Sequence, residues 1–306
     1  KKLPKIIIYF NTKFSISILA LNKIYKRTHK MELTDKTVVY VGGFGGIGME
    51  TSKYLLQKNL KHLIILDKDD NTKALAELQA LATNCAIHFY KYDVTMDKLS
   101  MQKVLDNILK VVENIDIFIY GAGICNDHLY ELTLQVNLVG LINSIAVILP
   151  HMDKRSGGRG GMIVSIASAA GIDPSPSVPI YCASKAAVIS ITRSLSVRID
   201  ASSYKISLHI TNFFQHPVIY AQTNVLFIVI CPGVTNTPIL DDVPSFLNLK
   251  PHVNTFIKDA PSQSADVCGQ NIVAAIEKGE NGAIWLLDIN EMKLVVPQQY
   301  WKKPTI

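Results

Sequence analysis

A tyrosine and a lysine four residues apart, Tyr181 and Lys185, form the unit of this sequence best suited to acid–base chemistry. On a helix this spacing places both side chains on one face. A phenol titrates near about pH 10, and a neighbouring ammonium group favours the phenolate and lowers that pKa. Tyr181 could then take a proton from an alcohol or return one to a carbonyl, while Ser168 could hydrogen-bond the same oxygen. Alone, Tyr-x-x-x-Lys is a weak signal that ordinary helix residues also produce.

A glycine-rich turn near the start of the chain would supply the cofactor that such a pair needs. A buried strand is predicted by the β-branched run KTVVYVGG, and a helical pattern follows the glycines. Glycines in such a turn let backbone N–H groups approach a pyrophosphate at the helix N-terminus. The next predicted strand ends in Asp67, at the spacing of an acid that binds ribose hydroxyls. We therefore predict a dinucleotide site whose turn comprises Gly43, Phe44, Gly45, Gly46, Ile47 and Gly48.

The charge at the end of this second strand favours NAD over NADP. The Asp67 carboxylate can accept hydrogen bonds from ribose hydroxyls but repels an additional phosphate. Phe44 is neutral, whereas Lys68 is a weaker signal in the opposite direction because it could approach that phosphate. On balance the sequence predicts NAD.

Strand and helix patterns alternate along most of the chain. This alternation predicts an α/β fold, a Rossmann-type doubly wound sheet of about seven mostly parallel strands flanked by helices. The predicted strand MIVSIAS places Ser168 at its carboxyl end, where ligands bind in such sheets. We predict a single domain over residues 31–306, preceded by a basic apolar extension at 1–30 and interrupted by an irregular insertion at about 198–224.

Together, the Ser…Tyr-x-x-x-Lys spacing and the Gly-x-x-x-Gly-x-Gly pattern at Gly42, Gly46 and Gly48 resemble the short-chain dehydrogenase/reductase family. Within it the chain resembles most the insect-type alcohol dehydrogenases, through GGIGMETSKYLL and NGAIWLLD. It is also similar to hydroxyprostaglandin dehydrogenases, through ICPGVTNT and PIYCASK. The resemblance implies NAD-dependent interconversion of a small-molecule alcohol and its carbonyl. It also implies a homodimer, unless the insertion disrupts the interface.

The resemblance assigns further roles. Asn137 would bind a water that connects Lys185 to solvent, and Lys185 would also hold the nicotinamide ribose. The sequence departs from the family at Tyr120, where an asparagine is common, and this puts one contact between strands in question. Without the resemblance, Asp93 could equally cap a strand end and Asn137 could be an ordinary core amide. The remaining cofactor contacts would come from Asp93, Val94, Gly121, Ala122, Gly123, Pro232, Gly233 and Thr237.

Composition narrows the class of protein. The chain has 306 residues, of which 48% are hydrophobic, and this is ample for a buried core. Its formal charge of +6 comes from residues 1–30, which hold eight lysines and arginines and no acid, so no basic stripe suits nucleic acid. Five cysteines without a Cys-x-x-Cys pair indicate reduced thiols and a cytoplasmic protein. No His/Cys cluster has the spacing of metal ligands, so we expect no metal.

Two segments do not fit the pattern. The simplest interpretation of residues 1–30 is upstream sequence preceding a natural start at Met31, and a membrane-surface anchor is the alternative. The segment at about 198–224 is far longer than the usual short loop and is either a surface insertion or translated intron sequence. The second is favoured because the join lacks the short Gly-Val-type lead into the strand that the resembled family has.

Two functions from different classes suit the sequence. The first is an NAD-dependent alcohol dehydrogenase with Tyr181, Lys185, Ser168 and Asn137 as its catalytic residues. The second is a non-catalytic storage or binding protein built on the same scaffold. The second predicts lost catalytic residues or a skewed composition, yet all four residues are present and methionine, at 7 residues, is not enriched. The enzyme is therefore the preferred hypothesis.

Overall fold

The structure is a computed structural model that describes residues 30–196, 223–241, 243 and 259–297. The extension at 1–30 and the insertion at about 198–224 lie almost entirely outside the described residues, so both stay predictions. The described residues are organised around one large sheet, with helices on both of its faces.

Within the described ranges the sheet has eight strands in the order β10-β9-β6-β5-β4-β1-β2-β3. All neighbouring strands pair in parallel except β10, which pairs antiparallel with β9 at one edge. The predicted doubly wound, mostly parallel sheet is thus confirmed, with β10 added to the strands expected. The strands are β1 (Thr37–Val41), β2 (His62–Asp67), β3 (Ala86–Lys91), β4 (Ile117–Tyr120), β5 (Gly161–Ile166), β6 (Val225–Pro232), β9 (Ile284–Asp288) and β10 (Glu291–Leu294). Two short strands, β7 (Thr235–Asn236) and β8 (Gln263–Ser264), pair with each other separately.

The direction in which strands are added reverses beside β1. The chain builds β2 and β3 on one side of β1, then crosses back to place β4 on the other side. Loops that leave the carboxyl ends of β1 and β4 therefore diverge, which opens a crevice at that edge of the sheet. The glycine turn, Ser168 and the Pro232-Gly233 segment all follow strands at this same edge.

On each face of the sheet, helices cover alternate residues of the central strands. In β1, Val38 and Tyr40 join the apolar cluster on one face of the sheet, while Val39 and Val41 join the cluster on the other. This alternation follows from the two-residue period of a strand. The helices are α1 (Gly46–Leu56), α2 (Thr72–Leu81), α3 (Lys98–Leu109), α4 (Tyr130–Met152), α5 (Pro179–Ser196) and α6 (Ala265–Lys278).

Helix α4 is the longest of the described helices and is not uniform. A π-helical turn at Gln135–Val139 separates two α-helical parts. By length and composition alone α4 could cross a membrane, but its residues Leu141, Ile145 and Ile148 are buried in the apolar cluster against the sheet. Its hydropathy is therefore accounted for by the protein core.

Candidate active site

Strand β5 delivers Ser168 to the crevice. The strand ends at Ile166, and Ser168 follows in extended conformation before a short 3-10 turn. Its Oγ accepts a hydrogen bond from the Ala170 N–H at 3.2 Å, and Ser168 and Tyr181 line the same cavity. The predicted serine and tyrosine are thus brought together, although thirteen residues separate them in sequence.

The first turns of α5 carry Tyr181 and Lys185. Lys185 is only 4% exposed, its Nζ donates to the Ile166 carbonyl oxygen at 3.0 Å, and Nζ lies 5.7 Å from the centre of the Tyr181 ring. Burial lowers the pKa of Lys185 to about 8. Burial also raises the pKa of Tyr181 above its usual value, and the Ser168 hydroxyl opposes this. Burial thus determines the direction of the Tyr181 pKa shift, which is opposite to the lowering that we expected from Lys185.

Asn137 lies in the π-helical turn of α4 and is buried. Its Oδ1 accepts from the Ile124 N–H at 2.9 Å, and its Nδ2 donates to the Ile124 carbonyl oxygen and to Ser184 Oγ, each at 2.9 Å. The side-chain amide is therefore occupied in fixing the loop after β4 against α5. Its role in a water relay to Lys185 stays a prediction.

A buried carboxylate that the sequence did not single out, Asp127, holds the start of α5. Its two oxygens accept from the Ile180 N–H at 2.8 Å and the Tyr181 N–H at 2.9 Å. The first N–H groups of a helix have no partner within it, and a negative charge there is favoured by the helix dipole. Asp127 therefore ties the loop after β4 to the backbone of the predicted base. Asp127 and Tyr181 are 54 residues apart, so no local spacing predicts their contact. The only sequence signal is that an aspartate follows the fourth predicted strand.

At two positions, Gly42 and Gly48, the glycine turn leaves no room for a side chain. Gly42 has a φ of +80°, and a Cβ on Gly48 would collide with the Gly42 carbonyl oxygen. Gly45 is exposed, has a φ of −68° and immediately precedes α1, where N–H groups are available to an anion. The turn is anchored to β2 because Asp67 Oδ2 accepts from the Phe44 N–H at 3.1 Å. The predicted ribose-binding acid therefore adjoins the predicted pyrophosphate cradle.

The other predicted cofactor residues fall into two groups. A Cβ on Gly123 would lie 3.1 Å from Lys185 Nζ, and one on Gly46 would lie 2.7 Å from Thr237 Cγ2, so these segments meet at the crevice. Asp93, by contrast, accepts from the N–H of Thr95 at 2.9 Å and from its hydroxyl at 2.7 Å, and these bonds lower its pKa. That geometry is a cap of its own turn, and an adenine contact stays a prediction. The Val94 side chain is buried. The backbone at Gly121, Ala122 and Gly233 lies close to neighbouring elements.

The crevice contains a cavity of about 210 Å³. Ser168, Tyr181 and Lys185 lie on its wall together with the segment from Pro232 to Thr237. Much of the remaining wall is apolar, formed by Cys125, Val178, Val234, Ile239, Leu240 and Val243. Cys125 was not predicted from any motif, and burial raises its pKa to about 12, so it contributes a neutral thiol. The site thus joins an acid–base group, a glycine-lined approach and an apolar pocket.

A metal centre is not found in the part of the chain that the structure describes, where no three His, Cys, Asp or Glu residues form a group that could hold an ion.

Comparison with known proteins defines the class. The family model of short chain dehydrogenases matches residues 36–212, and the chain belongs to that family. It is therefore an oxidoreductase of a family that acts on small molecules and typically binds NAD or NADP. Among its relatives, the alcohol dehydrogenase-related 31 kDa protein of Drosophila lebanonensis is 40% identical over 270 residues, 88% of this chain and 93% of that protein. The protein of that name from Drosophila melanogaster is 39% identical, with 88% and 92% covered.

Solved structures share the fold. Levodione reductase superposes with a TM-score of 0.65 at 22% identity, covering 84% of this chain and 97% of that one. The 3-oxoacyl-acyl-carrier-protein reductase from Brucella melitensis, in complex with NAD, gives 0.64 at 20% identity, with 83% and 96% covered. At these identities the likeness concerns the architecture alone.

Proposed function

We propose that the protein is an NAD-dependent alcohol dehydrogenase that interconverts a secondary alcohol or a hydroxy-lipid and its carbonyl. The observation that carries this proposal is the convergence of Ser168, Tyr181 and Lys185 on one cavity, beside the glycine-lined approach. The apolar part of the wall supports an uncharged, mainly hydrocarbon substrate. The names of the Drosophila relatives agree with alcohol chemistry.

The residues present suit a dinucleotide. The turn is closed tightly at Gly42 and Gly48, where a Cβ would meet neighbouring backbone, and Gly45 lies exposed at the N-terminus of α1. Asp67 would bind the ribose hydroxyls, and its charge favours NAD over NADP. Gly123, Gly233 and Thr237 would lie along the nicotinamide end. When bound, NAD supplies the hydride acceptor for the reaction.

The protein's own groups handle the proton. In oxidation Tyr181 takes the proton from the alcohol hydroxyl, while the Ser168 hydroxyl holds the same oxygen in place. Lys185, next to the Tyr181 ring, favours the phenolate by its charge. Because Tyr181 and Lys185 lie so close, they titrate as a pair with shared apparent pKa values. Alcohol oxidation should therefore rise with pH as this pair loses its first proton.

The test is NADH production by the full chain with NAD and a panel of secondary alcohols and hydroxy fatty acids of increasing length. Tyr181→Phe keeps the ring but cannot accept the proton, so we expect kcat to fall by roughly 10²–10⁴-fold with NAD affinity nearly unchanged. A Phe variant that retains turnover would exclude Tyr181 as the base. NAD binding without oxidation of any alcohol would instead favour a non-catalytic binding protein.

The setting of the enzyme is part of the same proposal. All five cysteines are free, which is consistent with a reducing, cytoplasmic environment. A homodimer is the assembly that the family resemblance implies, and sedimentation of the purified chain would test it.

A further inference from the structure

Tyr120 ends β4 beneath the active site and is 1% exposed. Its hydroxyl donates a hydrogen bond of 2.6 Å to the carbonyl oxygen of Val136, in the π-helical turn of α4. This is the position where the resembled family commonly has an asparagine. The tyrosine therefore reaches a different element, the helix that carries Asn137.

The Tyr120 hydroxyl bonds a backbone carbonyl whose helical bonding the π turn changes. Across this turn the Gly140 N–H bonds the Gln135 carbonyl, five residues back, rather than the Val136 carbonyl four residues back. The Val136 carbonyl has thus lost its α-helical donor, and a buried carbonyl without a donor is unfavourable. Gly140 also leaves the space for the tyrosine, since a Cβ there would lie 2.5 Å from Tyr120 Oη. Tyr120 and Gly140 together stabilise the wider turn.

The wider turn determines where the next side chain lies. Asn137 follows Val136 and bonds both backbone groups of Ile124 and the hydroxyl of Ser184, next to Lys185. An α-helix rotates by about 100° per residue, so a return to regular bonding would turn Asn137 away from these partners or shift the preceding residues. The loop that carries Gly123, beside Lys185 Nζ, would lose its fixed position with it.

We propose that Tyr120 is a positioning residue whose hydroxyl holds the π turn of α4 open and thereby holds Asn137 and the loop at Ile124 in the active geometry. The inference rests on the proposed function for its kinetic readout. Its structural readout is the protection of the backbone amides near Ile124 from hydrogen exchange, and this measurement does not depend on activity.

The experiment compares Tyr120→Phe with a matched control, Tyr92→Phe. Tyr92 is also buried, and its hydroxyl is 3.0 Å from Ser144 Oγ on the same helix beyond the π turn. Each change removes one buried hydroxyl that contacts α4, so similar losses of thermal stability are expected. We expect kcat for alcohol oxidation to fall about tenfold in Tyr120→Phe alone, since small misplacements at a reacting site are costly. Amide exchange should quicken at 121–125 and 135–140 only in that variant.

Further comparisons keep the result decisive. In an Asn137→Ala background, Tyr120→Phe should cause no additional loss of kcat, because both changes act through the same contact. If Tyr120→Phe fails to fold, Gly140→Ala, whose Cβ would displace the hydroxyl without removing it and would also press against Val94, should show the same faster exchange at 121–125 and 135–140. Equal kcat and equal exchange in the Tyr120 and Tyr92 variants would overturn the proposal. If the unaltered chain oxidises no alcohol, the proposed function fails and the exchange data alone decide the role of Tyr120.

Discussion

The glycine turn after β1 and the start of α5 position functional groups by opposite means. The turn works by omission, because a Cβ on Gly48 or Gly42 would overlap neighbouring backbone. The start of α5 works by completion, because Asp127 supplies acceptors for two N–H groups that the helix itself leaves unpaired. The glycine turn should therefore be disrupted when an atom is added, and the start of α5 should be disrupted when a polar atom is removed.

The two regions also differ in how they hold charge. Asp67, beside the glycine turn, is half-buried, whereas Lys185 and Asp127 at the start of α5 are 4% and 0% exposed. Charges that remain near water cost little and interact weakly, and buried charges are expensive unless they are bonded. Substitutions on the catalytic side should consequently change stability as well as rate.

The largest effect is expected for Lys185→Met, which should reduce kcat by roughly 10²–10⁴-fold through loss of the charge beside Tyr181. The same change should stabilise the fold near neutral pH by up to roughly 2–3 kcal/mol, because burial lowers the pKa of Lys185 to about 8 in the folded chain. Thermal unfolding and NADH production measured on the same samples would check both halves.

The pH dependence gives this prediction its sign. The unfolded lysine titrates near about 10.4, so between about 8 and 10 the unfolded chain binds more protons than the folded one, and stability rises with pH. The stability advantage of Lys185→Met should therefore be full below about pH 8 and shrink as the pH rises toward 10. A variant less stable than the unaltered protein at neutral pH would show instead that the bond from Nζ to the Ile166 carbonyl dominates.

Gly48→Ala tests the region that works by omission. The added Cβ would collide with the Gly42 carbonyl, and such overpacking typically costs about 1–3 kcal/mol of stability and should also weaken NAD binding. The matched control is Gly45→Ala, whose Cβ would lie 3.4 Å from the same oxygen, an ordinary contact. We expect Gly45→Ala to keep the stability of the fold and to lose NAD affinity only if the cofactor pyrophosphate approaches this exposed residue.

Calorimetry of unfolding would measure the stability of both variants, and calorimetric titration with NAD would measure their affinity. Equal destabilisation by Gly48→Ala and Gly45→Ala would refute the steric argument.

Asp127→Asn tests the region that works by completion. An amide offers one acceptor oxygen where the carboxylate offers two, so the Ile180 or the Tyr181 N–H loses its partner, at about 1–3 kcal/mol. Asp97→Asn is the control, since Asp97 caps the exposed start of α3 and asparagine is about as good a cap there, so a change of a few tenths of a kcal/mol is expected. Urea unfolding measures both, and kcat should fall only for Asp127→Asn. Equal stabilities for the two variants would mean that the buried cap has no special role.

The same contrast explains what could be predicted from the sequence. The strand–turn–helix unit and the Tyr181–Lys185 pair depend on short-range patterns, and the structure shows them as elements at the expected places. Asp127 meets Tyr181 across 54 residues, and no periodicity records that contact. The π turn of α4 cannot be predicted from the sequence, because one extra residue in a continuous apolar helix leaves its hydropathy almost unchanged. The burial of Tyr181, which determines the direction of its pKa shift, is likewise a property of the assembled fold.

The smallest effect, and the finest test of the peripheral charge, concerns cofactor choice. Asp67→Ala should narrow the preference for NAD over NADP by about tenfold, equivalent to roughly 1.4 kcal/mol, because a partly exposed carboxylate repels a nearby phosphate only modestly. The carboxylate also accepts from the Phe44 N–H, so Asp67→Asn, which keeps an acceptor but not the charge, separates repulsion from anchoring of the turn. We expect Asp67→Asn to shift the ratio of kcat/KM for the two cofactors with little loss of stability, and Asp67→Ala to shift the ratio and destabilise the turn.

Lys68 provides the experiment that could contradict this prediction. Its Nζ lies 3.6 Å from Asp69 Oδ2, and both side chains are exposed. If Lys68→Ala changed the ratio and neither Asp67 variant did, the selectivity would reside in that lysine and the charge of Asp67 would serve the turn alone.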